Sequence, residues 1–223
     1  MTPPEAGASR REPILNAPWT IVVLIVGLLA AHAARVLLGI GPQVYALTPQ
    51  QLNAGRWSGL ITYQFVHGGW AHVLMNSLFI LAFGTPVARY FGAGARGGGA
   101  FFAFFLLCGV VAALAYSGAT SLGGGAQAAW ALLGASGAAS GLMGAAARLM
   151  GGHGRLGGVG SRTVVSMTFS WVIMNAVLGL SGLTPGAAGI PVAWQAHIFG
   201  FLAGLALIGP AAWAAGVATE KSN

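Results

Sequence analysis

Long apolar runs recur along this 223-residue chain, covering about residues 19–38, 70–90, 100–116, 164–183 and 194–215. A helix needs about 20 mostly apolar residues to cross the ~30 Å hydrocarbon core of a bilayer, and these runs meet or approach that length. Soluble domains carry roughly 25% charged residues; here the figure is 6%, beside 56% hydrophobic residues and a mean hydropathy of +0.77. The chain therefore reads as an all-α, multi-pass integral membrane protein. No polar stretch is long enough for a second domain, so one bundle is expected at 18–216, between a polar tail at 1–17 and a short tail at 217–223. The run at 19–38 is read as a retained helix, because the tail before it is too long and mixed for a signal peptide.

A sixth apolar segment is different. It opens in a run of tiny residues, Gly134-Ala135-Ser136-Gly137-Ala138-Ala139-Ser140-Gly141, and ends near Arg148. Its ~13 residues make about 20 Å of helix at 1.5 Å per residue, which is short of the hydrocarbon core. With Arg148 at one membrane surface, the Ser136 hydroxyl lies below the other.

Charge orients the six expected helices. Placing both termini in the cytoplasm puts Arg10, Arg11, Arg89, Arg96, Arg148, Arg155, Arg162 and Lys221 inside, and leaves only Arg35 and Arg56 outside. This is the positive-inside bias. It also explains the net charge of +7 without nucleic acid, since the basic residues stand singly between apolar runs. The connection at 40–66 holds Pro42, Pro49, Arg56, Trp57, Tyr63 and Phe65, a content that suits an interfacial segment. Trp70, Trp130 and Trp194 read as an outer belt.

The acids exclude most catalytic schemes. The chain has no Asp, and its three Glu are Glu5, Glu12 and Glu220, all in the tails. Carboxylate dyads, Ser-His-Asp triads and carboxylate-bound metals are thereby ruled out of the membrane core, and no metal or other cofactor is expected. Cys108 is the only cysteine, so no intrachain disulfide exists.

Polar side chains at membrane depth are costly and point to function; the candidates are His67, His72, Asn76, Ser136 and His197. The second, fourth and sixth helices all run from outside to inside, and His72, Ser136 and His197 each lie near the outer end of one of them. Three positions far apart in sequence so reach one depth. Ser136 can attack a carbonyl only if a base takes its proton, and His197 can do so if the fourth and sixth helices pack closely. Gly134, Gly137, Gly141 and Gly144 on one, and Gly200 and Gly204 on the other, have the small-residue spacing for that. His72 and Asn76, four apart on one helix face, can donate hydrogen bonds. With the Ser136 backbone N–H they make a candidate oxyanion site.

At these residues the chain resembles the rhomboid family of intramembrane serine proteases. The matching motifs are His67-Gly-Gly-Trp-Ala-His72-Val-Leu-Met-Asn76, Gly134-Ala-Ser136-Gly137, and Ala196-His197-Ile-Phe-Gly200-Phe-Leu-Ala-Gly204, within about residues 50–210. The resemblance implies a six-helix rhomboid fold with Ser136 as nucleophile, His197 as general base, and His72, Asn76 and the Ser136 amide around the oxyanion. It implies transmembrane protein substrates cut near the outer face, a half-embedded first loop at 40–66, and a gate and cap built from the fifth helix and residues 184–193. Two features depart from the family. Ser140 stands where many members carry an aromatic against the base, so His197 is expected to be held less tightly or by another aromatic. Arg56-Trp57 reverses the family's Trp-Arg pair, and no role is carried onto it.

Plainer readings compete. Ser136 can be a packing residue, and His72 with Asn76 an interhelical pair. For His67 a structural hydrogen bond to the first loop is expected, and His32 and His153 are expected to be bystanders. The competing functions are an inactive rhomboid-like protein that binds transmembrane clients and a small transporter. The latter lacks intramembrane carboxylates and inverted repeats. The abundant Gly, Ala and Arg fit a bacterial cytoplasmic membrane.

Overall fold

The computed structural model describes residues 16–123, 131–181 and 193–217. Residues 1–15 and 218–223 of the two tails, Trp130, and residues 184–192 of the expected cap at 184–193 lie outside the described residues. Among those described, the fold is helical throughout, with two isolated β-bridges.

The first helix, α1, spans Trp19–Leu37 and is followed by two short helices, α2 (Pro49–Asn53) and α3 (Gly59–Thr62). Helix α4 (Trp70–Phe79) continues through a π-helical turn, Ile80–Gly84, into α5 (Thr85–Phe91). The turn has a local cause. Pro86 has no N–H to give the preceding turn and its ring crowds the carbonyl four residues back, so the helix widens there. Thr85 Oγ1 covers one loosened carbonyl, that of Leu81, at 2.6 Å.

Helix α6 runs over Ala95–Gly123, well beyond the 100–116 read from hydropathy. Glycine disfavours helices by about 1 kcal/mol relative to alanine, and Gly97-Gly98-Gly99 lie just before the apolar run. Packing overrides it: a Cβ at Gly98 would strike the Trp19 ring. Helices α7 (Ser136–Gly151), α8 (Arg162–Ser181) and α9 (Trp194–Ala214) complete the bundle.

By length and composition, five helical stretches among the described residues can cross a membrane: Trp19–Leu37, Trp70–Phe91, Ala95–Ser121, Arg162–Ser181 and Trp194–Ala214. Helix α7 falls short of that set. Its 16 residues make about 24 Å of helix, three residues more than the sequence suggested. It is also the most enclosed helix, buried on almost every face, which explains why it is built from Gly, Ala and Ser. Large side chains such as Val22, Val26, Phe169, Val177 and Leu180 face outward on α1 and α8, as lipid contact requires.

The 40–66 connection is docked rather than free. Thr48 and Gln51 form a reciprocal cap on α2. The Tyr63 hydroxyl donates to the Gly109 carbonyl at 2.8 Å, and Gln64 Nε2 to Leu60 and Leu106 carbonyls, anchoring the segment on α6. Leu47 and Leu132 exchange both backbone hydrogen bonds, so the same segment holds the strand of chain that leads into α7. Arg56 and Trp57 stay exposed.

Helices α7 and α9 meet backbone to backbone. A Cβ at Gly200 would strike the Gly137 carbonyl, one at Gly204 the Gly141 carbonyl, and one at Gly144 the Phe201 carbonyl. Overpacking costs about 1–3 kcal/mol where neighbours can move, and here the obstacle is rigid backbone. Gly204→Ala is therefore expected to lower the thermal unfolding midpoint in detergent. Gly27→Ala, in open space on α1, is expected to leave it unchanged or raise it. Equal midpoints for both variants would contradict the close α7–α9 contact.

Candidate active site

The site forms where the start of α7 meets the starts of α4 and α9. Gly134 turns the chain into α7 with φ +106°, a conformation open to glycine and strained for other residues. Its amide donates to the Tyr63 carbonyl at 3.0 Å. The next amide, of Ala135, donates to His67 Nε2 at 3.3 Å. Together these bonds fix Ser136 as the first residue of α7. N–H groups in the first turn of a helix have no partner within it, so the Ser136 amide can serve an external acceptor.

His197 enters from the first turn of α9. Its Nε2 is 2.8 Å from Ser136 Oγ and its Nδ1 is 2.8 Å from Asn175 Oδ1. Asn175, fully buried on α8, also donates through Nδ2 to the Trp171 carbonyl at 2.9 Å. A carbonyl accepts only, so the amide's NH₂ must face Trp171 and its oxygen must face the imidazole. That places the imidazole proton on Nδ1 and leaves Nε2 as an acceptor for the serine hydroxyl. A hydroxyl so placed can pass its proton to the imidazole as the oxygen attacks.

His72 and Asn76 converge on Gly134. A Cβ at that glycine would lie 2.7 Å from His72 Nε2 and 3.5 Å from Asn76 Nδ2. His72 Nδ1 accepts from the Gly68 amide at 3.4 Å, so its Nε2 carries the proton. Asn76 Nδ2 is buried with no hydrogen-bond partner among the described residues. Two N–H donors thus point to one place beside the start of α7, and one of them is unpaired. A buried unpaired donor costs about 1–3 kcal/mol, which suits a group held ready for a transient acceptor.

His67 is held by structural hydrogen bonds. Its ring accepts from the Ala135 N–H, and its own carbonyl accepts from Arg35 Nη2 at 3.0 Å. Burial, with the neighbouring imidazoles of His72 and His32, pushes the His67 pKa down to about 3, so the ring stays neutral and can accept. His32, expected to stand alone, is buried edge-on to Trp70 with ring centroids 4.7 Å apart, behind His67. His153 lies in a turn after α7 with φ 52°. No group of three or more His, Cys, Asp or Glu residues fit to hold a metal occurs among the described residues.

Ser140 and its missing aromatic also find an explanation. Ser140 Oγ donates to the Ser136 carbonyl at 2.7 Å. The aromatic near the imidazole comes from α8 instead: Trp171 lies 6.4 Å from His197, ring to ring, and its indole N–H reaches the His197 carbonyl at 3.4 Å. Sequence reasoning missed both Trp171 and Asn175. The signal for Asn175 was present, since it is an amide in the middle of an apolar run.

Gly134→Ala combines a strained φ with a Cβ against His72. Strain of this kind costs about 1–3 kcal/mol, so a clear drop in unfolding midpoint is expected from calorimetry. An unchanged midpoint would show that the turn is not built as described.

The family model of the Rhomboid domain matches residues 54–213, which include every residue of the site from His67 to His197. No curated protein gives a match. The matched stretch is most of the chain and carries the helices that bring Ser136, His197, His72 and Asn76 together, and the protein belongs to the rhomboid family.

Proposed function

We propose that this protein is an active intramembrane serine endopeptidase that cuts transmembrane proteins near the outer membrane face. The observation that carries the reading is the 2.8 Å contact between Ser136 Oγ and the accepting nitrogen of His197. The family is one of intramembrane proteases that also has inactive members, so the distinction rests on this contact and on the two donors beside it.

The mechanism follows from the proton positions. Ser136 Oγ attacks the scissile carbonyl while His197 Nε2 takes its proton. The carbonyl oxygen becomes an oxyanion, which His72 Nε2–H, Asn76 Nδ2–H and the Ser136 amide receive. The imidazolium then gives its proton to the leaving amine, and water, activated by the same nitrogen, releases the acyl group. A neutral imidazole, two neutral donors and an amide do all of this without a buried carboxylate, consistent with a chain whose acids lie in its tails.

In the membrane, six helices would cross or enter the bilayer with both termini in the cytoplasm. Support comes from where the cations gather. Arg89 bonds the Asn16 carbonyl beside the start of α1, Arg96 the Ala214 carbonyl at the end of α9, and Arg148 the Gly157 and Leu205 carbonyls. All lie at the end of the bundle away from Ser136. The short α7 then sets the hydroxyl below the outer surface.

Two measurements test the reading. A fluorophosphonate probe is expected to label the wild-type protein in detergent and to leave Ser136→Ala and His197→Ala unlabelled; an unlabelled, folded wild type would favour the inactive client-binding alternative. In a cleavage assay with a transmembrane substrate in liposomes, Asn76→Ala is expected to lower kcat by about 10²–10³, the usual loss of an oxyanion donor. A change confined to KM would remove Asn76 from that role.

A further inference from the structure

Asn175 has a place that a serine–histidine dyad does not use. Its side chain is 2% exposed, yet it stands on α8, the least buried of the five stretches able to span a membrane. A buried amide on a lipid-facing helix needs partners for three groups, and it has spent its oxygen on His197 Nδ1 and an N–H on Trp171. Four residues earlier on the same helix, Trp171 donates to the His197 carbonyl. One turn of α8 therefore grips both the ring and the backbone of the same histidine.

We infer that Asn175 is a positioning residue that holds His197 in the tautomer and orientation able to take the Ser136 proton, so that the base works only while α8 is seated against α9. The inference rests on the protease reading. An imidazole without this partner can rotate or carry its proton on Nε2, and in either case the serine meets a donor or nothing. The amide is the right group for the place. A carboxylate here would have to be desolvated among apolar side chains, whereas an amide oxygen accepts the Nδ1 proton without carrying charge. During attack the serine proton moves to Nε2 and the Nδ1 proton stays against Asn175. The amide dipole then faces the new imidazolium.

Coupling to helix position follows. Besides its grip on His197, α8 rests on α4 through Trp171, whose ring lies 5.4 Å from Phe79, and on Phe201 of α9. Drawing α8 away to admit a substrate would break the Asn175 and Trp171 bonds together. The base would regain its orientation only when α8 returned around a seated substrate.

The test compares Asn175→Ala, Asn175→Leu and Asn175→Asp in the liposome cleavage assay, with unfolding midpoints from the same preparations. General-base catalysis supplies about 10²–10⁴-fold, and losing the orienting group is expected to cost about tenfold or more of it. The Ala and Leu variants should show that loss in kcat with KM within about twofold. Asn175→Asp, which keeps an accepting oxygen in either protonation state, should recover most of the rate. Unchanged kcat in the Ala and Leu variants, or an Asp variant as slow as they are, would overturn the inference.

A second readout needs no variant to survive at position 175. Nitrogen NMR of ¹⁵N-histidine-labelled wild type, with the His197 signal assigned by its loss in His197→Ala, should show a protonated Nδ1 and a bare Nε2. The opposite tautomer would overturn the role of Asn175. Fluorophosphonate labelling of the wild type separates the two ideas: a labelled enzyme with the wrong tautomer fails here alone, and an unlabelled one fails the protease reading itself.

Discussion

Everything at this site depends on how closely two backbones approach. Helices α7 and α9 touch where a Cβ at Gly144, Gly200 or Gly204 would strike the backbone of the opposite helix, Gly200 and Gly204 lying against the Gly137 and Gly141 carbonyls. Lipid tails are as apolar as leucine, so the hydrophobic effect does little to join helices inside a bilayer; close packing does it instead. That contact brings the first residue of α7 and the first turn of α9 within reach of a single hydrogen bond. Had either seam carried larger residues, Ser136 and His197 would share a depth without touching.

The surroundings of the pair are polar but uncharged. Imidazoles, amides and backbone groups supply each bond: His67 to Ala135, His72 to Gly68, Asn175 to His197. Neutral groups suit the location, because desolvating a charge costs far more than desolvating a dipole. A nearby guanidinium, that of Arg35, donates to the Ile40 and His67 carbonyls, where it ties the end of α1 to the segment leading into α4. The loop before α7 is held in the same way, by Tyr63, His67 and the Leu47–Leu132 pair. The serine is thus placed by residues from the first connection as much as by its own helix.

Much of this was legible in the sequence, and the reasons are specific. Apolar run length marked five spans, and the Arg148 boundary marked the short helix. Alternating helix direction gave the expectation of a shared depth for His72, Ser136 and His197, and the glycine spacing pointed to the α7–α9 seam. What escaped was lateral rather than vertical. Periodicity gives the depth of Asn175 but not its facing, and α8 exposes apolar residues on most sides, so its one buried amide did not stand out. The partner of His67 lay 68 positions away and depended on the Gly134 turn. The length of α6 was hidden by its glycines, whose low helix propensity is outweighed by contact with Trp19.

We propose Ser136 as a nucleophile with an oxyanion site at the start of α7. The most direct measurement is a crystal structure of the protein after reaction with a fluorophosphonate. A phosphorus bonded to Ser136 Oγ is expected, with its phosphoryl oxygen against His72 Nε2 and Asn76 Nδ2. An adduct on another residue, or one whose oxygen turns away from both donors, would contradict it.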